Sequence, residues 1–124
     1  MKRLIPAAVL LILVFTAYIV GYSYINATCE KTDILLEDCV EAYKKGKDVG
    51  EKTDRLKEYW DSREKILSAF TNHSAIDEME HVIRSLSVHS KYPDNEMFYE
   101  YSATVKILIH QLMEDTLPGF HSIL

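Results

Sequence analysis

The chain has 124 residues, enough for one domain and not for two. It carries 14 Lys and Arg against 19 Asp and Glu, a net charge of −5, and has two Cys, four Gly and three Pro. This composition excludes a collagen-like chain, a Pro-rich linker and a disulfide-built scaffold. Because no charged residue occurs between Leu4 and Cys29, the sequence combines one apolar segment with one small domain.

The apolar segment is long enough to cross a membrane. Leu4 to Val20 is almost entirely Leu, Ile, Val, Ala and Phe, and about 20 such residues span a bilayer. Tyr18, Tyr22 and Tyr24 lie at its far end, where aromatic rings favour the headgroup layer. We therefore predict contact with the lipid bilayer through residues 4–22.

The flanking charges predict the orientation of this segment. Lys2 and Arg3 are the only charged residues before it, and the positive-inside rule keeps such a flank in the cytoplasm. We expect a single-pass protein of the cell membrane. Residues 1–28 form the cytoplasmic start and the anchor, and residues 29–124 form an extracytoplasmic domain.

Two alternatives to an uncleaved anchor stay open. A signal peptide has a similar basic start, and Gly21-Tyr22-Ser23 offers small residues at a cleavage spacing, although bulky Tyr24 follows. Cys29 is a candidate for lipidation, but Asn26-Ala27-Thr28 lacks the expected Leu. We favour the uncleaved anchor.

The part of the chain after the anchor is acidic. Residues 30–124 hold all 19 acidic residues and 12 of the 14 basic ones, a net charge of −7. This charge argues against a nucleic-acid partner. It also predicts that the domain stands off anionic lipid and that self-association is weak.

Four segments of this acidic part follow the helical period. The first runs from Thr32 to about Lys45, ends at Gly46 and is able to continue the membrane helix. The second runs from Glu51 to Thr71. Apolar residues three and four positions apart indicate one buried face on each segment.

Two further helices follow. Ser74 to Asp77 has the form of a capping box and predicts the start of the third helix, which stops before Tyr92-Pro93. Asp94 or Asn95 caps the fourth helix, and Leu117-Pro118-Gly119 closes it. With no period-two segment, we predict an all-α fold. Its N-terminal transmembrane helix is followed by an up-and-down antiparallel helical bundle, or a helical-hairpin array, of about four helices.

The apolar faces of the last three helices predict a shared core, to which the first helix adds Leu35, Leu36, Cys39 and Tyr43. The predicted core residues of these three helices are Leu56, Trp60, Leu67, Phe70, Ile76, Met79, Ile83, Leu86, Phe98, Tyr101, Val105, Leu108 and Leu112.

The two cysteines are not expected to bond to each other. Ten residues of helix separate their Cα atoms by about 15 Å, beyond the limit of roughly 7 Å for a disulfide. We expect Cys39 to be a small core residue. Cys29 lies near the membrane surface, which leaves a disulfide between two chains open.

One group of residues has the spacing of a metal site. His73, Asp77 and His81 are four residues apart, so a helix places them on one side. We favour a structural interpretation, in which His73 beside the N-cap bonds to backbone and His81 is solvated. His110 and Glu114 form a second pair at helical spacing, for which an intrahelical hydrogen bond is the more common arrangement.

Known catalytic motifs are absent from the sequence. It contains no Gly-x-Ser-x-Gly, no His-Glu-x-x-His, no P-loop and no Gly-rich dinucleotide turn. We therefore predict that the protein is not an enzyme and that it uses no cofactor.

Several features together resemble a bacterial family. They are the basic start and single span, Trp60, Phe70-Thr71-Asn72-His73 followed by Ile76-Asp77, Met79-Glu80 and Ile83, and the terminal Ser122-Ile123-Leu124. The pattern is similar to the domain of unknown function 4363, small membrane-anchored proteins of clostridia and related spore formers. The resemblance implies a helical domain outside the membrane that works with a multi-pass membrane protein, and no established activity.

Two functions stay open. We favour a non-enzymatic interaction module or accessory subunit for another envelope membrane protein, because tethering and helical faces are specific features. Two roles stay open for the C-terminal tail, which either covers the open end of the bundle or docks on the partner; its apolar residues are Leu117, Phe120, Ile123 and Leu124. The alternative is a metal- or small-ligand-binding sensor that uses His73, Asp77 and His81.

Overall fold

The structure is a computed structural model that describes residues 2–71, 73–93 and 95–116. These residues form four helices: α1 (Leu4–Lys45), α2 (Val49–Phe70), α3 (His73–His89) and α4 (Glu96–Thr116). No strand occurs in these ranges. The predicted all-α fold is confirmed.

The predicted membrane segment and the first bundle helix are one continuous helix. α1 has 42 residues, about 63 Å at the usual helical rise of roughly 1.5 Å per residue. Residues 4–20 are exposed on every side, whereas from Gly21 onward one face of α1 is buried. α1 therefore passes residue 28 without a break and belongs to both the apolar segment and the bundle.

Gly46 ends α1 as predicted. It adopts the left-handed conformation with φ 66°, and its N–H donates to the carbonyl of Tyr43 at 3.1 Å. The next N–H, of Lys47, donates to the carbonyl of Ala42 at 3.1 Å. These bonds satisfy carbonyls that the end of a helix otherwise leaves free.

The four helices form a closed bundle. α1 packs against α2 and α4, and α3 packs against the same two helices. Short connections make successive helices antiparallel. We call the end of the bundle beside Gly21, with the α2–α3 connection, the proximal end. The opposite end, with the α1–α2 and α3–α4 connections, is the distal end.

Most of the predicted core is buried. The buried members of the predicted set are Leu56, Trp60, Leu67, Ile76, Met79, Ile83, Leu86, Phe98, Val105, Leu108 and Leu112. Tyr101 is half-buried and packs against this core. The placement of Phe70 in the core is wrong, because its side chain is 44% exposed in the last turn of α2. α1 extends the core with Ile25 and Cys29, which are both 1% exposed.

The predicted start of α3 is displaced by one residue. α3 begins at His73, so Ser74 lies inside its first turn and does not mark the start of the helix. The start of α4 is as predicted, since Asn95 Oδ1 accepts the N–H of Met97 at 3.0 Å. Asp94 and the tail from Leu117 onward lie outside the described residues.

Candidate functional site: the anchor and its junction with the bundle

The first half of α1 is the main candidate for a functional segment. Among the described helices, α1 is the one long and apolar enough to cross a membrane, and almost none of its apolar window is buried. Its large side chains are mostly exposed; Leu4, Leu10 and Phe15, for example, are 70%, 63% and 61% exposed. The described residues of the bundle do not cover this row of side chains, and its length and apolar character are those of a helix able to cross a membrane.

The anchor meets the bundle where Phe70 lies against Gly21. A Cβ atom on Gly21 would lie 2.6 Å from Cδ1 and 2.9 Å from Cε1 of Phe70. Carbon atoms that are not bonded do not approach so closely. Glycine therefore permits the contact, and Tyr18, Tyr22 and Ile25 line the same small cleft.

An arginine lies above this junction, between two tyrosines. The guanidinium carbon of Arg63 is 5.7 Å from the ring centroid of Tyr24 on α1 and 5.2 Å from that of Tyr59 on α2. Both distances are in the range of cation–π attraction. A charged side chain can therefore lie on the inner side of α2, because the rings of Tyr24 and Tyr59 face the guanidinium of Arg63.

The histidine group does not form a closed metal site. His73, Asp77 and His81 all lie on α3 and are exposed. In the described part of the chain, three ligand atoms within 4.8 Å of one another occur instead at Asp61, Glu64 and Glu80. His110 and Glu114 are exposed on α4 and do not belong to that group.

The carboxylate group links α2 to α3. Arg84 Nη2 donates to Glu80 Oε1 at 2.7 Å, so one of the three carboxylates already has a cation. Partial burial, and then the negative charge of Glu80, raises the pKa of Glu64. Sequence analysis missed this group because the three residues come from two helices, and only the antiparallel pairing of α2 with α3 brings them together.

Both cysteines are free and buried. Cys29 is 1% exposed and Cys39 is 0% exposed. Burial raises the pKa of each thiol to about 12. The suggestion that Cys29 joins two chains is wrong, because its side chain points into the core of the bundle.

The fold and the junction define a class of protein: an all-α bundle carried on one long N-terminal helix whose first half is bare and apolar. The family model described as "Domain of unknown function (DUF4363)" matches residues 19–123, and the chain belongs to this family. The resemblance stated from the sequence is therefore confirmed. The match covers the junction and the whole bundle. Comparisons with curated proteins and with solved structures gave no match.

Proposed function

We propose that the protein is a membrane-anchored extracytoplasmic module, without enzymatic activity, that binds another envelope membrane protein as an accessory subunit. The observation that carries this proposal is the division of α1 into a bare apolar half and a half that is built into the bundle. A continuous helix joins the two halves, so a bilayer that holds the first half also positions the bundle at its surface. Lys2 and Arg3 support a cytoplasmic N-terminus.

The continuity of α1 supports an uncleaved anchor. Ser23, after which cleavage was considered, lies inside α1. Gly21 and Ile25 on either side of it face the bundle. Cleavage after Ser23 would remove Gly21, the residue against which Phe70 lies.

The buried polar groups support a structural interior and not a catalytic one. The hydroxyls of Thr28, Thr32 and Ser102 each donate to the carbonyl four residues earlier in the same helix, at 2.8, 2.7 and 2.9 Å. The two thiols are held protonated by burial, and a thiol is a weak nucleophile. The hydroxyls are thus satisfied within their own helices, and the thiols fill the core.

The surface of the bundle offers apolar contacts for a partner. Ile34 on α1 is 54% exposed, and Ile107 on the neighbouring α4 is 57% exposed. Singly exposed apolar residues are normal on protein surfaces, so we take Ile34 and Ile107 as the candidate contact that cross-linking has to test. His73, Asp77 and His81 are exposed on α3, and they do not favour the sensor function over the interaction module.

Labelling of engineered cysteines tests the topology. Ser62→Cys lies on an exposed part of α2, and Lys2→Cys lies before the anchor. We expect a membrane-impermeant maleimide to label Ser62→Cys in intact cells and Lys2→Cys only after lysis. The opposite pattern would place the bundle in the cytoplasm and refute the proposal. The wild type, with buried thiols, is the control.

Photo-cross-linking tests the partner. A photoreactive residue at Ile107 is expected to give a discrete cross-linked integral membrane protein, whereas the same residue at exposed Glu58 on α2 serves as the matched control. The product should persist when residues 4–20 are exchanged for an unrelated apolar span, because the bundle supplies the contact. No product from Ile34 or Ile107 in native membranes would refute this surface.

A further inference from the structure

We propose that the proximal end of the bundle rests on the bilayer, with Phe70 inserted at the boundary between the headgroups and the acyl chains. The inference rests on the proposed function, in which α1 spans the membrane. It goes beyond that function because it assigns a second lipid contact, made by the last turn of α2. It also replaces the expectation that the acidic domain stands off the membrane.

The level of Phe70 along α1 is the first argument. A hydrocarbon layer of about 30 Å takes about 20 residues of helix. Counted from Leu4, such a layer reaches past Gly21, the residue that Phe70 covers. The bundle therefore begins before the span is complete, and Phe70 is held at the depth of the last turn of the span.

The exposed side chains at this level are the second argument. Phe70 is 44% exposed and Tyr18 is 41% exposed, and both line the cleft beside Gly21. Ile66, one turn before Phe70 on α2, is 47% exposed. Aromatic rings at the edge of a span favour the headgroup layer. In this arrangement a phospholipid surface covers Phe70, which the core of the bundle leaves exposed.

The charge of the connections is an independent third argument. From Ile66 to Ile76 the chain carries no Asp, Glu, Lys or Arg, and its single titratable side chain is His73. Both distal connections are charged, with Lys45, Lys47 and Asp48 in one and Lys91 in the other. Of the three connections, the proximal one can reach the boundary with the acyl chains without removing a full charge from water.

The charge of Glu114 indicates which class of lipid the proximal end can contact. Glu114, near the end of α4, is exposed in the part of the bundle that lies towards the proximal end. Anionic lipid would repel it, so zwitterionic phosphatidylcholine is the appropriate surface. The neutral connection and Phe70 need no anionic headgroup.

Tryptophan emission in vesicles tests the inference. The full chain is reconstituted in phosphatidylcholine that carries a nitroxide near the headgroup end of the acyl chain or, in a second sample, near its methyl end. Phe70→Trp reports the connection and Phe15→Trp reports the span. Ile107→Trp is the matched control, since it is 57% exposed and adjoins Lys106, which pairs with Glu37 at 3.4 Å, far along α1 from Gly21. The emission of buried Trp60 in the wild type is subtracted.

We expect a blue shift and nitroxide quenching for Phe15→Trp and Phe70→Trp, and neither for Ile107→Trp. If Phe15→Trp is quenched and Phe70→Trp behaves like Ile107→Trp, the anchor stands and the inference is overturned; a protein partner then becomes the occupant of this face. If Phe15→Trp is not quenched, the proposed function itself fails.

A second variant leaves Phe70 in place. Ala69 is exposed beside it, and a spin label on Ala69→Cys is specific because both native thiols are buried. We expect collisions with oxygen to exceed those with a water-soluble nickel complex, as they do inside a bilayer. A label that prefers the nickel complex, as a label on Ile107→Cys should, would overturn the inference.

Discussion

The hydroxyl of Tyr43 on α1 accepts the backbone N–H of Asn95 at 2.7 Å and thereby joins two residues 52 positions apart. The same hydroxyl donates to the carbonyl of Tyr92, and the ring stacks on Phe98 with 3.9 Å between the ring centroids. Tyr43 therefore fixes the distal end of α1 to the connection that precedes α4.

Removal of the Tyr43 hydroxyl should weaken the fold. In Tyr43→Phe the N–H of Asn95 and the carbonyl of Tyr92 lose a partner, and we expect a loss of roughly 1 to 3 kcal/mol in the free energy of unfolding. Urea unfolding of the full chain in micelles, followed by Trp60 fluorescence, measures it. Tyr99→Phe, on a ring that is 41% exposed, is the matched control. Equal stability of the two variants would contradict the role of the hydroxyl.

The effect of Gly21→Ala on the free energy of unfolding should change sign when Phe70 is replaced by Ala. Gly21→Ala places a Cβ 2.6 Å from Phe70 Cδ1, and overpacking costs roughly 1 to 3 kcal/mol. In a Phe70→Ala background that clash is gone, and Ala should then stabilise the helix by about 0.8 to 1 kcal/mol. A double-mutant cycle by thermal unfolding measures both steps.

Gly50 supplies the control for this cycle. It lies on α2, and a Cβ atom added to it would meet no neighbouring atom within 4 Å, so Gly50→Ala should stabilise the protein or leave it unchanged in both backgrounds. If Gly21→Ala behaves in the same way in the native background, Phe70 does not hold the position that the structure gives it.

The native thiols should be unreactive until the bundle unfolds. Burial raises the pKa of Cys29 and Cys39 to about 12, so the thiolate is scarce at neutral pH and is also shielded. We expect a maleimide to label Ser62→Cys rapidly and the wild type only in denaturant. Non-reducing electrophoresis should show a monomer, and rapid labelling of the folded wild type would contradict the burial of both residues.

Neutralisation of Glu64 should stabilise the protein at neutral pH. Partial burial and Glu80 raise its pKa above the ordinary value of 4.5. The folded state therefore binds the proton more tightly, and stability from this group is present at low pH and lost as the pH rises through the raised pKa.

We expect Glu64→Gln to exceed the wild type by roughly 0.2 to 0.5 kcal/mol at pH 7, the scale of like-charge pairs on helix surfaces. This difference in stability should disappear below the ordinary pKa of a glutamate, where the wild-type carboxyl of Glu64 is protonated in both the folded and the unfolded state. Thermal unfolding across this pH range measures it, with Glu58→Gln on the same helix as control. A difference in stability that grows towards low pH would contradict a raised pKa of Glu64.

Zinc should not stabilise the protein through α3. His73 and His81 are exposed, so each change to Ala is expected to alter the free energy of unfolding by less than about 0.5 kcal/mol. Thermal unfolding of the full chain with and without added zinc measures the effect. His110→Ala is the control on α4. A zinc-dependent rise in melting temperature that both α3 variants abolish would favour the sensor function.

The sequence predicted the helices well because apolar spacing and end residues such as Gly46 and Asn95 act locally. It misplaced Phe70, since a stripe of apolar residues continues to the end of a helix whether or not a neighbour covers its last turn. It displaced the start of α3 because Asn72 and Ser74 are both residues that cap helices. The carboxylates of Asp61 and Glu80 needed the pairing of two helices, which no local pattern contains.

The contact between α1 and α4 sets an order of events in folding. α1 is the first helix to be synthesised and α4 is the last, so the buried face of α1 has no complete set of neighbours until the chain is finished through α4. Ile25 and Leu36, which are buried in the finished bundle, are bare in the nascent chain. The interval before closure is thus the time at which the apolar core of this protein is most exposed to aggregation.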